Sequence, residues 1–230
     1  MDRIRLPADL DVLLGPSGTA RLAALLELVA ASPVGLVSRG ERENLPAHAA
    51  DSLVGARLPS LRNAGAIADL GSGGGFPGLV LAIALPASRL TLVESVAKKA
   101  AFLQAAARDL ELENVAVVGA RAEEWAGGIA TQDAVTARAL APLPVVLEYA
   151  APLLRLGGTL VAWKGPNVAA ELVDASAAAA TLGMSDPEPA AGLPEIATDG
   201  RRLYVSSKVS ETPAAYPRAP GKASKRPLKA

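Results

Sequence analysis

Ten residues limit what this chain can fold into. Asp69-Leu70-Gly71-Ser72-Gly73-Gly74-Gly75-Phe76-Pro77-Gly78 begins inside the short apolar run Ile67-Ala68-Asp69-Leu70 and leads into the apolar stretch Leu79 to Leu85. A short apolar run closed by glycine reads as a strand, and the stretch behind Pro77 reads as a helix with proline near its first position. A tight turn needs one or two glycines. This loop carries five. Without side chains, backbone N–H groups can approach a ligand closely, and positive φ brings no Cβ clash. The carboxyl end of the first strand of a parallel sheet is also where such sheets bind ligands. The loop therefore reads as a ligand cradle.

The rest of the chain supplies that sheet. Leu90 to Val93 is a second strand ending in Glu94, and Ser95 then caps a helix to Leu110 with Ala100, Leu103, Ala107 and Leu110 on one face. Val115 to Val118 and Ala134 to Thr136 are the third and fourth strands. A helix over Val145 to Leu154 and a fifth strand over Thr159 to Trp163, entered through Gly157-Gly158, follow. Strand and helix alternating at this spacing predict an α/β fold, a mostly parallel doubly wound sheet with right-handed crossovers. Upstream, Thr19 is placed to cap a helix carrying Leu22, Leu25, Leu26 and Val29, and a second helix-like segment runs from Pro46 to Leu58. Downstream come a helix over Ala169 to Leu182, a loop over Pro187 to Pro194 and a strand over Leu203 to Val209. The expected organisation is a helical cap (1–60), a catalytic domain (61–212) and a disordered basic tail (213–230).

Composition excludes several chemistries. With no cysteine and one histidine, His48, the chain has no thiolate nucleophile, disulfide framework or multi-histidine metal site. No metal is expected, and His48 reads as a packing residue of the cap. Half the residues are hydrophobic, 49 of them alanine, which still leaves larger side chains enough for one core. The 23 basic and 23 acidic residues balance, but unevenly. Arg218, Lys222, Lys225, Arg226 and Lys229 have no acid among them, so a basic tail follows an acidic body. The one long uncharged stretch, Leu70 to Ser88, holds five glycines and two prolines, which argues against a membrane helix. Asp2, Asp9 and Asp11 beside two arginines do not resemble a signal peptide. A cytoplasmic, monomeric protein is expected.

Two cofactor classes compete for the loop. Gly73-x-Gly75-x-x-Gly78, with Glu94 about twenty residues on, matches the dinucleotide pattern of a nicotinamide oxidoreductase. Asp69-Leu70-Gly71-x-Gly73-x-Gly75 looks like the first motif of S-adenosylmethionine-dependent methyltransferases. A carboxylate at the entrance repels a pyrophosphate and attracts a sulfonium and an amino group. Asp69 favours the methyl donor. Glu94 is placed for the ribose hydroxyls, and Arg121-Ala122-Glu123-Glu124, after the third strand, lies where an adenine would sit.

A narrower resemblance covers residues 20 to 210 in collinear order. The loop, Val93-Glu94-Ser95-x-x-Lys98-Lys99-x-x-Phe102-Leu103, Leu112-Glu113-Asn114-Val115 and Gly119-x-Arg121-Ala122-Glu123-Glu124 together resemble the RsmG (GidB) family of bacterial ribosomal RNA small-subunit methyltransferases. Val135-Thr136-Ala137-Arg138-Ala139, Ala162-Trp163-Lys164-Gly165, Glu43-Asn44-Leu45 and His48-x-x-Asp51-Ser52-Leu53 are similar to further blocks of it. The resemblance implies a Rossmann-like methyltransferase fold and N7 methylation of one guanine in the helix 18 loop of 16S RNA. S-adenosylmethionine is the implied donor and the small ribosomal subunit the implied partner. It carries cofactor contacts onto Gly71, Phe76, Ala122, Glu123 and Arg138, while Glu94 stands where typical members have aspartate. Guanine N7 bears a lone pair and no proton, so a chain with one histidine suits that reaction. Arg138 and Lys164, at the ends of the fourth and fifth strands, are the candidates for positioning the target. A methyltransferase for another RNA, a protein or a small molecule, and a non-catalytic RNA-binding protein, are the other readings. Aromatic residues make up only 3%, which leaves no stacking platform for RNA, whereas the basic tail offers phosphate contacts.

Overall fold

Apolar runs such as Leu90 to Val93 need burial on both faces, which a parallel sheet between two helical layers supplies. The computed structural model describes residues 8–37, 40, 42–191 and 200–230. Its sheet has seven strands in the order β3-β2-β1-β4-β5-β7-β6. These are β1 (Ala66–Leu70), β2 (Arg89–Val93), β3 (Val115–Val118), β4 (Gln132–Arg138), β5 (Leu154–Lys164), β6 (Glu188–Pro189) and β7 (Arg202–Ser207). The first five run parallel, and β7 lies antiparallel between β5 and β6. The chain moves outward from β1 to β3 and then returns to place β4 on the other side of β1. The glycine loop leaves β1 at that switch point, where adjoining connections diverge and open a crevice.

Successive strand residues feed opposite layers. Ile67 joins a buried cluster with α1 (Ala8–Ala31), α2 (Leu45–Gly55), α3 (Pro59–Arg62), α4 (Gly78–Ala84) and α5 (Ala97–Asp109). Ala68 and Leu70 join a second cluster with α6 (Leu143–Ala150), α7 (Leu172–Leu182) and the short α8 (Lys222–Lys225). The cap helices thus share their core with one face of the sheet. Val12–Ala31 is long and apolar enough to cross a membrane, but Leu22, Leu25, Leu26 and Val29 are buried in the first cluster. Each buried leucine is worth about 2 kcal/mol there.

Several boundaries differ from expectation for local reasons. The first helix starts before Thr19, breaks at Gly15 and resumes at Pro16, and the Thr19 hydroxyl donates back to the Gly15 carbonyl at 2.9 Å. Ser95 lies just outside α5, whose cap is Val96. The helix read over Val145 to Leu154 stops at Ala150, because Leu154 already pairs with Gln132 as the start of β5. Pro166–Glu171 forms a 3-10 turn before α7, and β6 pairs inside the stretch read as loop. Asp2, Arg3 and Arg5 and the end of that stretch lie outside the described residues.

The tail read as disordered is packed instead. Arg218 makes a two-pronged contact with Glu148 of α6, with Nε 2.6 Å from Oε1, and Ala223 is 2% exposed in the second cluster. A buried carboxylate needs a cation, and Arg218 supplies it from the tail. Composition alone carried no sign of that partner.

Candidate active site

Close packing beneath the glycine loop sets its shape. Gly71 has φ +67°, and Gly78 passes so near β2 and β1 that a Cβ there would sit 2.4 Å from Leu92 Cδ2 and 2.5 Å from Asp69 Oδ2. Asp69 is 1% exposed. Its Oδ2 accepts the Gly78 N–H at 3.2 Å and its Oδ1 accepts the Thr136 hydroxyl at 2.8 Å. Burial pushes its carboxyl up to about 6, against the pull of those hydrogen bonds. Asp69 thus lies beneath the loop, its carboxylate tying the end of β1 to the start of α4 and to β4. Glu94 is 5% exposed, and its two oxygens accept the Gly73 and Val96 N–H groups at 2.9 and 2.8 Å. Gly75 turns the chain into α4, its N–H donating to the Ser72 carbonyl and its own carbonyl accepting the Leu79 N–H.

Above the loop lie two cavities that meet at Gly71. The larger, about 490 Å³, is lined by Gly73, Phe76, His48, Arg138, Trp163 and Arg201, among others. The smaller, about 210 Å³, is lined by Val93, Ala122, Glu123, Leu140, Tyr149 and Ser224, among others. The structure thus gathers Gly71, Gly73, Phe76 and Arg138 on one side, and Ala122 and Glu123 with Gly71 on the other. Asp69, Gly75, Glu94 and Lys164 line neither.

Arg138 is the fixed cation of the larger cavity. It leaves the end of β4 and meets α2, where Nη1 donates to the His48 carbonyl at 3.1 Å and to Ser52 Oγ at 3.3 Å. Nη2 donates to His48 Nδ1, so that nitrogen acts as an acceptor and His48 both packs and lines the cavity. Asp51 Oδ2 lies 3.4 Å from Arg138 Nε and 3.4 Å from Arg201 Nη1. The Arg138 guanidinium stands 5.9 Å from the centre of the Phe76 ring. Trp163 Nε1 donates to the Asp51 carbonyl at 3.0 Å, which docks α2 on the end of β5.

Lys164 lines neither cavity. Its Nζ pairs with Glu171 at 2.7 Å and donates to the Ala141 carbonyl at 3.2 Å, while Glu171 accepts the Leu143 N–H at 2.6 Å. It ties the end of β5 to the start of α6. Asp51, Arg201, Tyr149 and Ser224 are functional candidates that sequence reasoning missed. Only Asp51 carried a signal, three residues after His48 and hence on the same helix face.

A family profile described as rRNA small subunit methyltransferase G matches residues 20–190. The chain belongs to this family. The ribosomal RNA small subunit methyltransferase G of Rubrobacter xylanophilus is 46% identical over 188 residues, 79% of this chain and 72% of that one. That of Synechococcus elongatus is 41% identical over 210 residues, 84% of this chain and 86% of that one. An S-adenosylmethionine-dependent O-methyltransferase from Thermotoga maritima shares the fold, with TM-score 0.55 and 18% identity over 70% of this chain and 65% of that one.

Membership in rRNA small subunit methyltransferase G leaves the nicotinamide reading of Gly73-x-Gly75-x-x-Gly78 without support. The methyl donor S-adenosylmethionine joins a flat nucleoside to a charged amino acid, and the residues present fit both parts. The smaller cavity offers apolar Val93 and Leu140 walls for a base. The larger offers backbone at Gly73 and Gly74 for polar groups.

Proposed function

We propose that the protein transfers a methyl group from S-adenosylmethionine to N7 of a guanine in the helix 18 loop of 16S RNA, acting in the cytoplasm on the small ribosomal subunit. The observation that carries the reading is a cationic cavity beside the glycine loop whose one histidine is engaged as an acceptor. His48 Nδ1 is turned onto Arg138, and Asp51 is held between Arg138 and Arg201. Such a cavity suits a nucleophile that has no proton to lose. The choice of guanine rests on the family resemblance.

Gly71, Ala122 and Glu123 would hold the nucleoside end of the donor, and Gly73 and Phe76 its amino-acid end. Bound there, the donor supplies an electrophilic methyl group. Glu94 keeps Gly73 and Val96 in place, with spare lone pairs on both oxygens for ribose hydroxyls. Arg138, with Phe76 and Trp163 around it, presents positive charge to a base edge rich in acceptors, N7 and O6. Orientation then carries most of the acceleration. Lys164 acts at one remove, by fixing the ends of β5 and α6.

The test is nucleoside mass spectrometry of 16S RNA from cells with and without the gene. Loss of 7-methylguanosine from helix 18 is expected in its absence. An unchanged level overturns the assignment, and a methyl mark lost elsewhere redirects it to another substrate. In vitro, naked 16S RNA and the assembled small subunit compared as substrates identify the form acted on.

A further inference from the structure

The carboxyl-terminal segment joins the wall of the smaller cavity. Ser224 lines that cavity together with Gly71, Val93 and Glu123. It is held there by Tyr149 of α6, whose hydroxyl lies 2.9 Å from Ser224 Oγ. Three residues earlier the Gly221 N–H donates to Glu123 Oε1 at 2.9 Å. Glu123 and Tyr149 therefore each serve two surfaces, lining the cavity and gripping the tail.

The grip is anchored well outside the cavity. Arg218 pairs with Glu148, which is 1% exposed, and also donates to the Arg226 carbonyl at 3.0 Å, closing the loop between them. Ala223 is buried against α6, while Lys222, Lys225 and Arg226 point outward. A four-residue helix with so few contacts has little stability of its own. Its position depends on the ion pair and on the turn at Ala122–Glu124.

From this geometry we infer that the strap from Tyr216 to Arg226 is part of the cofactor site, and that Ser224 is a specificity-determining residue at its nucleoside end. This rests on the reading of the smaller cavity as the nucleoside subsite. A nucleoside touching Ala122, Glu123 and Ser224 favours the docked strap, and docking favours the nucleoside by the same factor. The strap also carries three exposed cations on either side of Ser224, so its docking can be followed from outside the cavity.

The test uses the full-length protein and two readouts. Isothermal titration with S-adenosylmethionine, S-adenosylhomocysteine and adenosine is compared for wild type, Ser224→Phe and Gly221→Ala. Ser224→Phe fills the cavity from the strap side and should weaken all three ligands by roughly tenfold or more. Gly221→Ala strains a residue at φ +75° with open space around its Cβ, so it should loosen the strap without crowding the cavity. It should weaken all three ligands by a smaller factor. Thermal melting without ligand checks that both variants fold. Separately, trypsin cleavage after Lys222 and Lys225 of the wild type should slow when S-adenosylmethionine is added. Wild-type affinity in both variants, with cleavage indifferent to ligand, overturns the inference. A wild type that binds none of the three ligands instead overturns the reading of the cavity itself.

Discussion

Asp51 of the cap and Arg138 at the end of β4 pair at 3.4 Å with almost no access to solvent, their side chains 0% and 9% exposed. Burial pushes the Asp51 carboxyl up, and the guanidiniums of Arg138 and Arg201 draw it only part of the way back. Oδ2 takes both arginines, and Oδ1 has no hydrogen-bond partner among the described residues. The pair joins cap to sheet at the wall of the larger cavity, so stability and positioning meet in one contact.

Removing the carboxylate should therefore be costly. Asp51→Ala leaves Arg138 charged and desolvated, and its expected penalty is about 3–5 kcal/mol in urea unfolding at neutral pH. Asp51→Asn should cost less, because burial already works against the charged form. Equal midpoints for wild type and Asp51→Ala would show that the contact contributes nothing to the fold.

Arg138 tests the positioning half. Its planar fork reaches the His48 carbonyl, Ser52 Oγ, His48 Nδ1 and Asp51 at once, a set that a lysine ammonium cannot reproduce. Arg138→Lys should lower kcat/KM for methyl transfer to small subunits by about 10- to 100-fold, close to the effect of Arg138→Ala. Near-wild-type transfer by the lysine variant would mean that charge alone suffices there.

How legible the molecule was depended on how local each cause is. The inner parallel strands announce themselves because burial on both faces demands largely apolar runs such as Leu90 to Val93, every residue of which is buried. The start of β5 did not, since Leu153 and Leu154 continue the helical spacing of α6 and only pairing with Gln132 makes Leu154 a strand residue. β6, two residues long, has no periodicity to detect. In the site, the glycine loop and Arg138 were legible from order and type. The directions of Asp69 and Lys164 were not, because each is decided by partners outside its own strand, Thr136 for one and Glu171 with the Ala141 carbonyl for the other. The docked tail was hidden for the same reason, its partner Glu148 lying 70 residues earlier.

Lys164 supplies a test that separates support from contact. If it ties β5 to α6 through Glu171, Lys164→Met should lower the melting temperature by a few degrees while leaving the affinity for S-adenosylmethionine within about twofold of wild type. Calorimetry and titration on the same preparation measure both. A variant with unchanged melting but lost methylation would return Lys164 to the target guanine.

Asp69 gives the pH dependence. Its carboxyl is raised from 3.8 to about 6 in the folded protein, so the folded state holds a proton that the unfolded chain has already lost between those values. The contribution is fully present below about 3.8 and disappears as pH rises through about 6, by which point on the order of 3 kcal/mol has gone. Asp69→Asn keeps an acceptor for the Gly78 N–H and a polar partner for Thr136, without a charge to desolvate. The variant should therefore be at least as stable as wild type at pH 7. The stability difference between the two, followed by urea unfolding from pH 4 to pH 7, should grow across that interval in favour of asparagine. A difference that stays flat would mean that Asp69 ionises in the fold as it does in the unfolded chain.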